Sequence, residues 1–263
     1  MKNILLLVHE DEGQRARLQA ALDIARAMHG QLTCLDLANP IERPSMFPVF
    51  GGAVVMEPEL APIGGTSARE LVEKSGIPFH WLERSGELGP IVGSVAAQAD
   101  IVVLSAPRAD LFPPTQAAIG DILVHSRKPI LSVPPSSAGL TVNGEVLILW
   151  DGSREAHAAM VAAIPLLKRA TTVTILEIDD GSLKIPATEA AAHLAQREIK
   201  AQIRSDLAFG EKAGYLILEQ IELLKPSYVV MGGYGHSQFV EGLFGGVTDR
   251  LLHESPVPLF LKH

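Results

Sequence analysis

Two apolar runs of the same character, 142 residues apart, limit what this 263-residue chain can fold into. Asn3–His9 (NILLLVH) is matched by Glu145–Asp151 (EVLILWD). A polar turn and an Ala-rich helical stretch follow each, Arg15–His29 and Arg154–Ala170, and then a second strand, Leu32–Leu37 and Thr172–Ile178. Further on, Ala99–Ser105 resembles Pro226–Gly232, now at an offset of 127. The first half therefore carries about fifteen more residues than the second. They are expected within Asn39–Gly65, which is rich in Pro and Gly and has no clear periodicity. Each half closes with a helix and a strand that follows proline, Pro129–Val133 and Pro256–Lys262.

Short continuous apolar strands alternating with helices require a parallel sheet covered on both faces. In the second half the remaining elements are predicted as a helix over Ala187–Ile199, a strand over Gln202–Leu207 and an amphipathic helix over Glu211–Lys225. A buried strand over Ser227–Met231 and a helix starting at Thr248–His253 complete it. The predicted fold class is thus α/β, as two tandem doubly wound units of five parallel strands. Boundaries of 1–135 and 143–263 with a linker at 136–142 follow from the Pro-Pro-Ser-Ser-Ala-Gly run after Val133. Val257–Leu261 and Ile130–Val133 are apolar edges that would aggregate if left bare, so the halves are expected to pair through their last strands.

Composition narrows the function classes. Hydrophobic residues at 47% and charged residues at 20% fit a globular chain with a filled core. A net charge of −8 argues against a nucleic-acid or anionic-membrane partner, although it permits a local phosphate site. No apolar run reaches the eighteen residues of a membrane span, and the acidic Glu10-Asp11-Glu12 makes Ile4–Val8 a strand rather than a signal peptide. A cytoplasmic location is expected. The single cysteine, Cys34, lies in the apolar stretch Leu32–Leu35 and reads as a small buried hydrophobe.

The chemistry concentrates near the C-terminus. Gly232, Gly233 and Gly235 follow a buried strand, and Gly245-Gly246-Val247-Thr248 opens a helix after nine intervening residues. Glycines at a strand end and a helix start let backbone N–H groups approach an anion without β-carbons in the way. This block resembles the nucleotide-binding signature of universal stress proteins: Gly-x-x-Gly, nine residues, then Gly-Ser/Thr. Gly232, Gly235 and Gly245 match it, while Gly246 stands where the Ser/Thr belongs. Asp151-Gly152-Ser153 after the first strand of the half is a second shared feature. The resemblance spans the whole chain as a tandem pair, but only the second copy carries the motif.

The resemblance implies an adenine-nucleotide alpha-hydrolase-like fold and assigns roles. Asp151 would contact the adenine and Ile178 would line the base. Gly232 would lie by the ribose. Backbone N–H groups of Gly235, Gly245, Gly246 and Val247 would meet the phosphates, with the Thr248 hydroxyl beside them. The ligand would be ATP, or ADP or AMP, with or without Mg²⁺. Plainer readings stand beside these: Asp151 as a helix cap, Gly232 and Gly233 as a tight turn, Thr248 as an N-cap. The hydroxyl missing at Gly246 removes one hydrogen bond, worth roughly 0.5–1.5 kcal/mol. Leu149 is a lesser departure, at a position where ATP-binding relatives often have proline.

In the first half His9 takes the position of Asp151, Ser105-Ala106-Pro107-Arg108 replaces the first glycine pair and Ala117–Gly120 the second. Alanine and proline block close backbone approach, so no tight phosphate site is expected there. His9 and Arg108 offer at most a site for some other anion. No P-loop, complete dinucleotide fingerprint, nucleophile elbow, His-x-x-x-His pair or Cys cluster occurs, so no catalytic or metal-ligating residue is assigned. Asp179-Asp180 reads as a solvated turn. The expected function is a stress-response protein that holds a nucleotide and regulates partners, with slow hydrolysis as the most it could catalyse. A partner-binding tandem protein without nucleotide, or a small-metabolite enzyme under the proline-rich insertion, are the alternatives. An unidentified protein partner and a homodimer of the whole chain are compatible with either.

Overall fold

The computed structural model describes residues 1–9, 11–37, 65–84, 88–107, 119–120, 122–179, 183, 185–207, 212–233 and 246–263. Most of Asn39–Gly65, Arg108, Asp180, Gly235 and Gly245 lie outside these. In the first half the strands are β1 (Asn3–Val8), β2 (Gln31–Leu37), β3 (Phe79–Arg84), β4 (Ile101–Ser105) and β5 (Ile130–Val133). The helices between them are α1 (Gln14–Met28), α2 (Gly65–Lys74) and α3 (Leu88–Ala96), with a short π-helical segment at Ile122–Ser126. The second half has β6 (Glu145–Trp150), α4 (Arg154–Leu167), β7 (Thr172–Asp179), α5 (Ala187–Ala195) and β8 (Ala201–Leu207). It ends with α6 (Lys212–Leu224), β9 (Tyr228–Gly232), α7 (Val247–Glu254) and β10 (Leu259–Lys262).

All ten strands form one sheet in the order β3-β2-β1-β4-β5-β10-β9-β6-β7-β8. Within each half every pairing is parallel, and the order of the second half repeats that of the first. Even the register is shared. Ile4 faces Ile101 in the first half, and Val146 faces Tyr228 in the second, at the two offsets visible in the sequence. The halves join through their last strands, antiparallel, with Leu259 opposite Ser132, Phe260 opposite Leu131 and Leu261 opposite Ile130. That pairing removes two apolar edges and makes the carboxyl edge of one half continuous with the amino edge of the other.

The continuous apolar strands are explained by burial on both faces. Ile4, Leu6 and Val8 point into a core under α1, α2, α4 and α5, whereas Leu5 and Leu7 point into one under α3, the Ile122–Ser126 segment, α6 and α7. Local signals fix the helix starts. Ser153 is extended and its hydroxyl accepts from the Ala156 amide at 3.1 Å, capping α4. At α5 the N-cap is Pro186, which has no side-chain donor or acceptor to offer. Glu177 on β7 replaces it, its Oε2 accepting from the Ala187 amide at 2.5 Å while Oε1 accepts from Ser205 at 3.0 Å. Cys34 is fully buried, and burial followed by the Asp36 charge pushes its thiol up to about 12.

Candidate functional site

In the second half the strand order reverses between β6 and β9, which is where an open α/β sheet leaves a crevice at its carboxyl edge. Asp151 follows β6 directly and is exposed. Its Oδ1 accepts from the Ser153 amide at 2.9 Å, closing a small turn over Gly152, whose φ is +72°. Ser153, not Asp151, is therefore the helix cap. Ile178 near the end of β7 and Val247 at the start of α7 both pack on the second core, so they share one side of the sheet. Thr248 lies half-buried in the first turn of α7.

The two described glycines of the motif have separate reasons to be glycine. Gly246 is the N-cap of α7 at φ +118°, ψ −167°, a backbone state that residues with a β-carbon rarely adopt. This explains the departure from Ser/Thr: here the backbone selects glycine, and α7 begins without a side-chain cap. Glycine at this position offers the first turn of α7 no hydroxyl or carboxylate of its own as a cap. Gly232, by contrast, has an ordinary packing role. A β-carbon there would stand 2.6 Å from the Ala156 nitrogen and 2.7 Å from the Glu155 carbonyl carbon. The backbone of the first turn of α4 stands so close to the end of β9 that the strand residue must lack a β-carbon.

In the first half the glycine lies on the helix side of the contact instead. Ser105 occupies the place of Gly232, and Gly13 the place of Glu155; a β-carbon on Gly13 would collide with Ser105 Oγ. The side chain on the strand has a consequence for the crevice between β1 and β4. Arg17, one turn into α1 and fully buried, lays its guanidinium there. Its Nε donates to the Leu7 carbonyl at 2.6 Å, and Nη2 donates to the His9 carbonyl at 2.9 Å and to Gln14 Oε1 at 2.7 Å. Nη1 donates to Ser105 Oγ and to both Asp11 carboxylate oxygens, at 3.2 and 3.0 Å.

His9 completes the cluster. Arg17 Nη2 lies 3.4 Å from its Nδ1, so the imidazole proton belongs on Nε2, which is 2.5 Å from Asp11 Oδ2. Burial, more than the Arg17 charge, pulls the imidazole below its ordinary value despite Asp11, so His9 stays neutral near pH 7. Burial alone would raise the Asp11 carboxyl, but the contact with His9 and the Arg17 charge outweigh it and hold it down at about 2. His9 is therefore not an anion ligand, and every guanidinium edge of Arg17 is already taken. Sequence reasoning missed Arg17, Asp11 and Ser105. Aligning the two copies residue by residue, with Gly13 against Glu155 and Ser105 against Gly232, was the signal available.

A cavity of about 720 Å³ lies elsewhere, lined among others by Glu12, Pro107, Pro134, Pro135, Glu254 and Pro256. It opens at the carboxyl edge of the first half, the opposite edge of the sheet from Gly232, and its two glutamates suit an anion poorly. Among the described residues no group of three His, Cys, Asp or Glu side chains could hold a metal ion. No described helix is long and apolar enough to cross a membrane.

No family model matches the chain. A universal stress protein from Archaeoglobus fulgidus DSM 4304 is similar in structure, with a TM-score of 0.71 at 16% identity, covering 99% of this chain and 95% of that one. A protein of unknown function from Pseudomonas aeruginosa PAO1 gives 0.65 at 12% identity, over 100% and 92% of the two chains. A chain from Pseudomonas aeruginosa UCBPP-PA14, assigned to the universal stress proteins, gives 0.64 at 14% identity over 100% and 93%. Among curated sequences, an uncharacterised protein of Schizosaccharomyces pombe is 28% identical over 133 residues, 44% of this chain. The chain spans only 22% of that protein's length. The fold is that of the universal stress proteins, with two such units in one polypeptide.

Proposed function

We propose that this chain, built as two universal stress protein units, is a stress-response protein that holds one adenine nucleotide in its second unit. In this reading the ligand is ATP, or ADP or AMP, with or without Mg²⁺, and its presence biases interactions with a protein partner. One observation carries the reading. At the β6–β9 crevice, α7 starts on a glycine in a positive-φ conformation that supplies no side-chain cap, a helix start of the kind that suits an anion. At the equivalent crevice of the first half, a fully buried guanidinium already occupies the space. The Gly232-x-x-Gly235 and Gly245-Gly246 spacing supports phosphate binding from the sequence side. Asp151 and Ile178 are at strand ends on either side of β6 and β7, where a base would lie.

In this reading the crevice holds a nucleotide rather than turning it over. Calorimetric titration of nucleotide-free protein with ATP, ADP and AMP, with and without Mg²⁺, tests the proposal. One site per chain is expected, abolished by Gly235→Val, whose methyls would fill the phosphate path. Absence of binding at millimolar nucleotide would leave a partner-binding tandem protein as the better reading.

A further inference from the structure

The first half reaches the glycine turn of the second through the paired last strands. Gly233 donates its amide to the Lys262 carbonyl at 3.0 Å, and His263 Nδ1 lies 3.1 Å from the Gly233 carbonyl oxygen. A β-carbon on Gly233 would stand 3.3 Å from Leu123 Cδ1, so the π-helical segment of the first half is its direct neighbour. Lys262 is level with Gly232 in the β9–β10 register. Its ammonium reaches across the seam and donates to the carbonyl of Arg127, the residue that ends that segment in a left-handed conformation at φ +50°.

Three cations therefore gather next to the turn: Lys262 from the second half, Arg127 and Lys128 from the first. Burial and then the charges of Arg127 and Lys128 hold the Lys262 ammonium below its ordinary value. Nearby, against burial that would raise it, the Asp100 carboxyl is held below its ordinary value by the amides of Asn3 and Lys2, then by the N-terminal ammonium and Lys128. Its Oδ2 already accepts from the amides of Lys2 and Asn3, at 2.6 and 3.0 Å. Like charges crowded at a half-buried seam are unfavourable unless an anion joins them.

We propose that Lys262, Arg127 and Lys128 form a subsite for the terminal phosphates of a polyphosphate chain whose first phosphate sits at the glycine turn. The inference rests on the nucleotide reading of the second half and adds to it: the first half measures the number of phosphates. AMP would leave the subsite empty, whereas ATP would reach it, since each added phosphate extends the chain across the seam.

The test is titration of the full chain with AMP, ATP and inorganic tripolyphosphate, comparing wild type with Lys262→Met and with Arg127→Ala/Lys128→Ala. Lys262→Met should weaken ATP and tripolyphosphate roughly tenfold, the loss of one charge-assisted contact, and the double variant by at least as much, while AMP stays within about twofold. An unchanged ratio of ATP to AMP affinity in both variants overturns the subsite. The two readings fail separately. If wild type binds tripolyphosphate through Lys262 but no adenine nucleotide, the nucleotide reading falls and the cation subsite stands. If AMP and ATP bind equally and tripolyphosphate does not bind, the nucleotide reading stands and the subsite falls.

Discussion

Replacing Arg17 by methionine isolates the device that distinguishes the two halves. Methionine keeps most of the aliphatic stem and removes the guanidinium. What remains is a buried carboxylate, Asp11, whose side chain is 2% exposed, without its cationic partner. The carbonyls of Leu7 and His9 and the Ser105 hydroxyl also lose a donor. Removing one member of a buried ion pair costs about 3–5 kcal/mol, because the other charge is stranded. At roughly 2–4 °C per kcal/mol for a chain of this size, the melting temperature should fall by about 6–20 °C. Urea unfolding followed by circular dichroism measures the loss without screening the charges. The double variant Arg17→Met/Asp11→Asn should recover about half of it, since the stranded charge is gone. A single-variant loss under about 1 kcal/mol, or a double variant no better than the single, would refute the claim that this pair locks the first crevice.

Other outcomes follow from the same geometry. Gly13→Ala should destabilise by about 1–3 kcal/mol through its clash with Ser105 Oγ, and Ser105→Gly in the same chain should relieve most of that; equal losses in both backgrounds would contradict the exchanged-glycine contact. Acid should weaken the fold in two stages. The lowered His9 value makes the unfolded chain bind the proton first, so stability falls as pH drops below about 6.5. Asp11, held at about 2 against an ordinary 3.8, contributes about 2 kcal/mol that is complete above pH 3.8 and lost as pH falls towards 2. The raised Asp36 carboxyl acts in the opposite sense, and Arg17→Met should shrink the Asp11 stage in a pH series of urea midpoints. Cys34, buried with its thiol near 12, should resist a water-soluble disulfide reagent at pH 8 until urea unfolds the chain; rapid native labelling would contradict its burial.

The order of elements was legible because burial on two faces writes itself into the sequence as short apolar runs. The β1 and β6 runs gave the repeat, whereas the register, Ile4 with Ile101 and Val146 with Tyr228, came only with the structure. The joining of β5 to β10 followed from two apolar edges that needed a partner. The Arg17 cluster was not legible. An arginine in the first turn of an amphipathic helix, close to Gln14 and Arg15, looks solvated, and its partner Ser105 lies 88 residues away. At Gly232 a motif position and a packing constraint coincide, and only the distance to Ala156 reveals the second. The glycine at 246, read as a lost hydroxyl, is required by its own positive φ.

Density for a bound nucleotide tests the central claim most directly. In crystals grown with ATP, the base and phosphates should lie at the carboxyl ends of β6 and β9, beside Asp151 and the first turn of α7. The crevice between β1 and β4 should hold the Arg17 guanidinium and nothing else. Nucleotide in the first crevice with Arg17 displaced, or bound only in the proline-lined cavity at the opposite edge, would contradict the account.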